Sequence, residues 1–300
     1  MTLDLGGPNR NVFYLNFESI GQLDPDNELG PQICQAEQNF NFANLIENAS
    51  DYVIAIERFR LPLQGIPMLR AIPQAIRIMD GLGGTISTLN LPAVYSINDF
   101  LTELSGAGSG WTGGAGANNY SFSLTPGGQI CIWGPWSGEF LVLDPQIAAI
   151  FDLPLEIDGE VTNTIIKGAT VLFDRFDELY KVQIVAETGL SNIQQEIITT
   201  NTFRNILTDF LIPSSWSASF NDDAKCQTPH TPAFSLSYPV RQDLEFNDSN
   251  NRRWIFMRGG APIQNVGLKA EAILRDGTIT EIPLPPRSVF QVKLSFWLKS

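Results

Sequence analysis

The stretch Val289-Phe-Gln-Val-Lys-Leu-Ser-Phe-Trp-Leu298 alternates apolar and polar side chains along most of its length. This period of two is typical of a β-strand that buries one face and exposes the other. Residues 179–186 and 268–274 alternate in part, while residues 53–61 begin with an apolar run and then alternate. These four segments are predicted to be long strands, and together they favour an all-β protein.

Shorter segments and turn signals complete the predicted strand pattern. Thr125-Pro-Gly-Gly128 and Arg275-Asp-Gly-Thr278 are predicted hairpin turns, because glycine supplies the positive φ that tight turns need. Helices are few: Ser96 precedes one predicted at residues 97–104, and Asp144-Pro145 begins one that continues to residue 151. The shorter predicted strands are residues 12–17, 75–79, 86–91, 120–124, 130–133, 139–143, 204–212, 234–238 and 254–258.

This pattern predicts a single jelly-roll β-sandwich with few short helices, because long strands near both chain ends enclose a large middle. We expect an N-terminal arm with one strand at residues 1–45 and one jelly-roll domain at residues 46–300. An inserted helix-strand-helix module at residues 92–165 is expected inside that domain. A lipocalin-like barrel is the alternative, although its strands would be spaced more regularly.

The composition excludes several classes of protein. The chain has 300 residues, a mass of 33.1 kDa and a net charge of -13. Because an acidic chain repels phosphate backbones, we expect no direct contact with nucleic acid. Hydrophobic residues make up 43%, which permits a sizeable core. Neither a secretory signal nor an apolar run of transmembrane length is visible. Three separate cysteines suggest no disulfide framework and fit a reducing compartment.

The charge is divided unevenly along the chain. Residues 78–166 contain nine acidic side chains and no lysine or arginine, whereas residues 241–300 contain nine basic and six acidic side chains. Two surfaces of opposite charge suit a head-to-tail contact between identical copies. We therefore consider these two spans as candidate contact faces, with two solvated faces as the alternative.

Catalytic and metal-binding patterns are scarce. The only histidine, His230, lies in Thr228-Pro-His-Thr-Pro232, a proline-bracketed loop that is a poor place to fix an imidazole beside a nucleophile. Cys226 is nearby, but a closed zinc site would also need Cys34 and Cys131 from distant strands. The segment Asp24-Pro-Asp-Asn-Glu28 is similar to the start of a calcium loop, although its glycine and its expected glutamate are misplaced.

Ligand-binding patterns are equally weak. The glycine clusters at residues 81–84 and 113–116 lack the ending of a phosphate loop. Five tryptophans suggest a sugar-binding platform, although a core or interface role is the better interpretation: Trp111, Trp133, Trp136, Trp216 and Trp254. We therefore predict no catalytic, cofactor-binding or metal-binding residue, and no enzyme activity.

Four stretches of the sequence carry patterns of packing residues. Residues 52–67 form a long strand with the pair Arg58-Phe59 that runs into Ile66-Pro67, and residues 95–154 contain a helix, three strands and a small helix before Pro154. The others are residues 205–213 and a tail, residues 243–296, with an Asp-Gly hairpin and a final Lys293-Leu-Ser-Phe296. Together they resemble the penton, or minor capsid, proteins of virophages and Maverick/Polinton-type viruses.

The resemblance implies an upright single jelly roll, five copies of which close each icosahedral vertex of a double-stranded DNA virus capsid. It implies two partners, the chain itself in a homopentamer and trimers of a double jelly-roll major capsid protein, with a cementing or fibre protein as a further candidate. It also implies a virion location after assembly in the host cytoplasm. The alternative is a carbohydrate-binding jelly roll, either a fibre or receptor-binding domain or a β-sandwich glycosidase, which the tryptophans and acids support.

Overall fold

The computed structural model contains mainly antiparallel strands with few helices, so the predicted all-β jelly-roll fold is confirmed. The residues that it describes are 12–23, 31–40, 46–104, 111–113, 121–124, 129–133, 138–158, 166–170, 176–190, 195–198, 202–212, 241, 243–247, 253–257 and 262–299.

The chain forms two compact units. Unit 1 contains residues 1–66, 179–212 and 241–300, and unit 2 contains residues 67–178 and 213–240. The division that the sequence predicts, with an arm at residues 1–45 and a module at residues 92–165, remains a prediction. The described part of residues 1–45 contains two strands, whereas the sequence predicted one.

The first sheet of unit 1 has five strands and is built around the alternating stretch Val289–Leu298, strand β19. Strand β19 is central and pairs antiparallel with β1 over nine residue pairs and with β3 on its other side. Strands β15 and β16 both pair with the far edge of β3. The five strands are β1 (Val12–Ile20), β3 (Tyr52–Leu61), β15 (Leu244–Asn247), β16 (Arg253–Phe256) and β19 (Val289–Leu298).

The second sheet of unit 1 has six strands, all of them antiparallel to their neighbours. Its order is β13-β14-β12-β17-β18, and β2 also pairs with β17. The strands are β2 (Gln35–Asn39), β12 (Leu179–Thr188), β13 (Gln195–Ile198), β14 (Thr202–Leu211), β17 (Asn265–Leu274) and β18 (Ile279–Glu281).

The core of unit 1 contains side chains from both sheets, which is the packing of a β-sandwich. In β19 the residues Phe290, Val292, Leu294 and Phe296 are fully buried, while the residues between them face outward. Phe296 stacks on Phe13 of β1 with ring centres 4.7 Å apart. Each large apolar side chain that is buried in this way stabilises the fold by about 1.5–3 kcal/mol.

Unit 2 has two smaller sheets and both α-helices of the described chain. One sheet has the order β10-β9-β4-β5-β6 and the other β11-β8-β7. The helices are α1 (Ile97–Leu104) and α2 (Pro145–Phe151), and Phe100 and Phe151 from them meet in the unit's own core. The strands are β4 (Ile72–Met79), β5 (Thr85–Leu91), β6 (Trp111–Gly113), β7 (Ser121–Leu124), β8 (Gln129–Trp133), β9 (Phe140–Leu143), β10 (Glu156–Asp158) and β11 (Ile166–Thr170).

The local signals in the sequence agree with the structure wherever it can be compared. Ser96 Oγ accepts a hydrogen bond from Asp99 N at 3.1 Å, and Asp144 Oδ1 accepts one from Gln146 N at 2.8 Å, so both predicted helix starts are confirmed. The Asp-Gly turn joins β17 to β18, and Gly277 has the expected positive φ of 84°. Strands β7 and β8 pair as predicted, whereas their turn and the strand at residues 234–238 lie outside the described residues.

Candidate functional site

Most of the chemically suggestive residues lie outside the part of the chain that the structure describes. His230, Cys226 and the segment Asp24-Pro-Asp-Asn-Glu28 belong to this group. Across the described ranges, no group of three or more histidine, cysteine or acidic side chains is placed to hold a metal ion. The absence of enzyme activity and of a metal site therefore remains a prediction.

Cys34 is the cysteine whose surroundings are described, and these surroundings are inert. It is fully buried in the core of unit 1, and its Sγ contacts the carbonyl oxygen of Pro283 at 3.7 Å. Burial raises the pKa of the Cys34 thiol to about 12, and the negative charge of Asp243 adds to this rise. Because the thiolate is the reactive form, Cys34 suits packing rather than catalysis.

Two of the five predicted platform tryptophans have described side chains, and they belong to different units. Trp111, in unit 2, is half-buried, and its indole N–H donates to the carbonyl oxygen of Glu103 at 3.0 Å. Trp254, in unit 1, lies beside Trp297, a residue that the sequence analysis did not select. The rings of this pair are 5.5 Å apart at an interplanar angle of 82°, so they share no flat surface on which a sugar ring would stack.

The side of the five-stranded sheet that faces away from the core carries this tryptophan pair, and we call it the outer face. The strand register aligns its residues in two neighbouring rows that cross the sheet. The first row is Tyr14, Ser295, Ala55 and Trp254, and the second is Val12, Trp297, Val53 and Phe256.

The residues in the middle of these rows are buried although they point away from the core. Ala55 and Ser295 have no exposed surface and Val53 has 1%. Trp297 Nε1 donates to Ser295 Oγ at 2.9 Å, and this hydroxyl in turn donates to Glu57 Oε1 at 2.6 Å. Hydrogen bonds therefore hold the Trp297 ring in place on the sheet.

The edges of the rows remain exposed. Tyr14, at the end of the first row, is 47% exposed, and Phe256, at the end of the second row, is 39% exposed. An aromatic cluster on a sheet face that would otherwise be polar is typical of an interaction surface, since tyrosine, tryptophan and phenylalanine are enriched there.

Positive charge accompanies the aromatic rows. Lys293 Nζ lies 4.2 Å from the centre of the Tyr14 ring, and Lys299 Nζ lies 5.9 Å from that of Phe256. Neither lysine forms an ion pair with any carboxylate in the described ranges. A third cation, Arg60, is paired with Asp243 on the same sheet at 2.5 Å. Lys299 Nζ also donates a hydrogen bond to the carbonyl oxygen of Ser50, which leaves its positive charge in place. The outer face therefore combines aromatic surface with positive charge.

On the six-stranded sheet, the side that points away from the core differs from the outer face, because its lysines are paired with carboxylates. Lys269 Nζ lies 2.6 Å from Glu281 Oε1 and 3.8 Å from Glu187 Oε1. The hydrogen bond to Glu281 is the main cause of a raised pKa at Lys269. Lys181 is similarly paired with Asp209 at 3.3 Å. This face is an internally compensated, charged surface.

The alternation of side chains along β19 indicated the outward position of Trp297. In β19 the polar side chains Gln291, Lys293 and Ser295 share one face, and Trp297 continues that series. A tryptophan at a polar position of an alternating strand indicates an exposed aromatic residue. Tyr14 has no comparable signal, since its cross-strand neighbours are known only once β1 is paired with β19.

An acidic segment with an exposed leucine follows helix α2 in unit 2. In Asp152-Leu-Pro-Leu-Glu156 both acids are exposed and Leu155 is 51% exposed. Asp152 ends the helix in the left-handed conformation, with φ 52°, and Leu153 N donates to Ala148 O at 3.0 Å. Leu155 O accepts from Leu143 N at 2.7 Å. The segment is therefore held by hydrogen bonds while it presents a leucine between two carboxylates.

Within the described ranges, no helix has both the length and the apolar character needed to cross a membrane.

No family model matches the sequence, and no curated protein matches it either. Solved structures do match. The crystal structure of the mavirus penton protein is similar with a TM-score of 0.55 and 13% identity, over 95% of this chain and 99% of that chain.

The fold is therefore similar to that of a virophage penton protein. A chain in the cryo-electron microscopy structure of the Sputnik virophage is also similar, with a TM-score of 0.55 and 15% identity over 96% of this chain and 98% of the other. The resemblance to virophage penton proteins that the sequence suggested is thus confirmed at the level of the fold.

Proposed function

We propose that this protein is a structural virion protein, a penton capsomer that forms homopentamers at the five-fold vertices of an icosahedral capsid. The observation that carries the proposal is the fold similarity to the mavirus penton protein, which extends over nearly the whole of both chains. A match of this extent includes unit 2 as well as unit 1, so it does not depend on the widespread jelly roll alone.

Other features support the same function. Five copies around an axis must each present two different surfaces, because a closed ring requires a heterologous contact. The acidic span at residues 78–166 and the mildly basic tail at residues 241–300 would provide two such surfaces. Trimers of a major capsid protein would be the lateral partners, with assembly in the host cytoplasm before the capsomer enters the virion.

The experiment is a mass measurement by light scattering on the purified chain, combined with cryo-electron microscopy of particles. We expect a species of five times the 33.1 kDa chain mass, and density for the chain at the vertices. A stable monomer that is absent from particles would overturn the proposal.

The carbohydrate-binding alternative is tested separately with a glycan array and a glycoside hydrolase screen. The edge-to-face geometry of Trp254 and Trp297 does not favour it, because stacked sugars need an open, flat aromatic surface. Specific binding or turnover would support this second function, whereas their absence would favour the structural one.

A further inference from the structure

We infer that the outer face of the five-stranded sheet is one half of the contact between copies, and that the segment Asp152-Leu-Pro-Leu-Glu156 of a second copy is the other half. The inference rests on the proposed function, because it assigns surfaces to the ring which that function requires. It identifies the partner of the aromatic outer face as a segment of the same protein that carries an exposed leucine and two carboxylates.

The chemical match between the two surfaces is the first argument. The outer face offers Tyr14 and Phe256 as exposed aromatic surface, with Lys293 and Lys299 beside their rings. The segment offers Leu155 as an exposed apolar side chain between two carboxylates. Docking would cover apolar surface on both copies and bring two ammonium groups to two carboxylates.

The second argument concerns which charged side chains can pair with those of a second copy. Residues 78–166 have no basic side chain, so the segment lies in a span of the sequence that carries nine negative charges and no neutralising lysine or arginine. The basic groups on the other sheet of unit 1 are engaged by Glu281, Glu187 and Asp209. On the outer face, Lys293 and Lys299 lie beside exposed aromatic rings without a carboxylate partner in the described ranges, and exposed Arg58 lies opposite Lys293 in the strand register.

The third argument is that both surfaces are rigid before they meet. The Trp297 ring is held by its hydrogen bond to Ser295, and the segment is held by the end of helix α2 and by Leu143. Rigid partners lose less conformational entropy on association, which favours a specific contact.

The contact is heterologous, since the sheet face and the segment are different surfaces of the same chain. Each copy in a ring would use its face on one neighbour and its segment on the other.

Zero-length carbodiimide cross-linking tests the contact directly, because it joins a lysine amine to a carboxylate that it touches. Equal amounts of unlabelled and ¹⁵N-labelled protein are mixed, assembled and cross-linked, and the peptides are identified by mass spectrometry. We expect mixed-isotope cross-links from Lys293 or Lys299 to Asp152 or Glu156. An intact oligomer whose mixed-isotope cross-links omit both lysines would overturn the inference and leave the proposed function standing.

Matched variants give an independent measurement by sedimentation equilibrium. Tyr14→Ser is expected to weaken association about tenfold or more, whereas Tyr180→Ser, of equal exposure on the other sheet at 46%, is expected to leave it unchanged. Lys293→Glu with Lys299→Glu is expected to weaken it by a similar factor, and adding Asp152→Lys with Glu156→Lys is expected to restore it.

The two hypotheses fail in different ways in this experiment. Association that is equally strong in wild type, Tyr14→Ser and the lysine variant would contradict the assigned surfaces while supporting a ring. A wild-type chain that stays monomeric would contradict both the pentamer and its contact. Circular dichroism of each variant establishes that any loss of association is not a loss of fold.

Discussion

The carboxylate of Glu178 binds the guanidinium of Arg70 through two hydrogen bonds, from Nε to Oε2 at 3.0 Å and from Nη2 to Oε1 at 3.3 Å. The backbone N–H of Arg70 and the side-chain amide of Gln146 also donate to this carboxylate, at 3.0 and 2.7 Å. Arg70 lies near the start of unit 2 and Glu178 ends its first segment, so the pair joins the two ends of that segment.

Replacing Glu178 is expected to destabilise unit 2. Glu178→Ala removes the acceptor for four donors, and the side chain that is lost is only 9% exposed. Because Arg70 is 44% exposed and can be hydrated again, we expect a loss of about 2 kcal/mol rather than the larger loss of a fully buried pair. Urea unfolding measures this loss in the free energy of unfolding. Leu82→Ala, at a position of the same unit that is 98% exposed, is the control, and equal midpoints for the two variants would contradict the prediction.

Removing the side-chain cap of helix α2 is expected to have a smaller effect. Asp144 accepts a hydrogen bond from the N–H of Gln146, which has no partner within the helix itself. Asp144→Ala should lower the free energy of unfolding by about 1 kcal/mol, whereas Asp144→Ser, which can still accept this bond, should lower it by only a few tenths. Chemical unfolding of the three proteins checks the order, and an alanine variant as stable as the serine variant would contradict it.

Two glycines with similar backbone conformation should respond very differently to alanine. Gly189 and Gly277 have φ of 77° and 84°, so alanine is strained at both positions. At Gly189 a Cβ would lie 1.7 Å from the carbonyl oxygen of Asn265, whereas at Gly277 nothing lies within 4 Å. We expect a cost of about 1 kcal/mol for Gly277→Ala and more than about 3 kcal/mol for Gly189→Ala.

Thermal unfolding of these two variants is the measurement. Since φ is nearly the same, the difference between their melting temperatures reports the steric contact with Asn265. Similar melting temperatures for both variants would show that the backbone at residue 189 moves away from Asn265 without cost.

Cys34 should be unreactive in the folded protein. Its thiol is fully buried and its pKa is raised to about 12, so hardly any thiolate forms at pH 8. Iodoacetamide followed by peptide mapping should show Cys34 unmodified in native protein and modified after unfolding in urea. Rapid native modification at Cys34 would contradict the buried position.

The same thiol is expected to make stability depend on alkaline pH. The unfolded chain loses the Cys34 proton near pH 9.0, while the folded chain retains it up to about pH 12. The folded state therefore binds more protons in this window, and its stability falls as the pH rises from 9 to 12. Cys34→Ala should show a weaker decline over that range than wild type, and parallel curves would contradict this assignment.

Much of the local structure was predictable because its causes lie within a few residues. Ser96 and Asp144 begin helices through hydrogen bonds to N–H groups two or three positions ahead. The Asp-Gly turn joins β17 to β18 because Gly277 adopts a positive φ at little steric cost. The alternation of β19 likewise determines which of its side chains enter the core.

The partners of the strands and the surfaces that result could not be predicted in this way. That β1 pairs with β19, more than 270 positions later in the chain, depends on the packing of Phe13 on Phe296 and on the whole core around them. The row that places Tyr14 and Trp254 on the same outer face follows from three separate pairings. No local pattern encodes such an alignment.

The sequence by itself therefore determined the long strands, the Asp-Gly turn, the two helix starts and the all-β class, since short-range hydrogen bonding and side-chain periodicity specify them. It also showed the separation of acidic and basic residues along the chain. Only the tertiary structure decided that the chain forms two units, that Cys34 is buried near Asp243, and that Trp297 meets Trp254. The physical reason is that burial and strand register arise from contacts between distant segments, which exist only after the sheets have assembled.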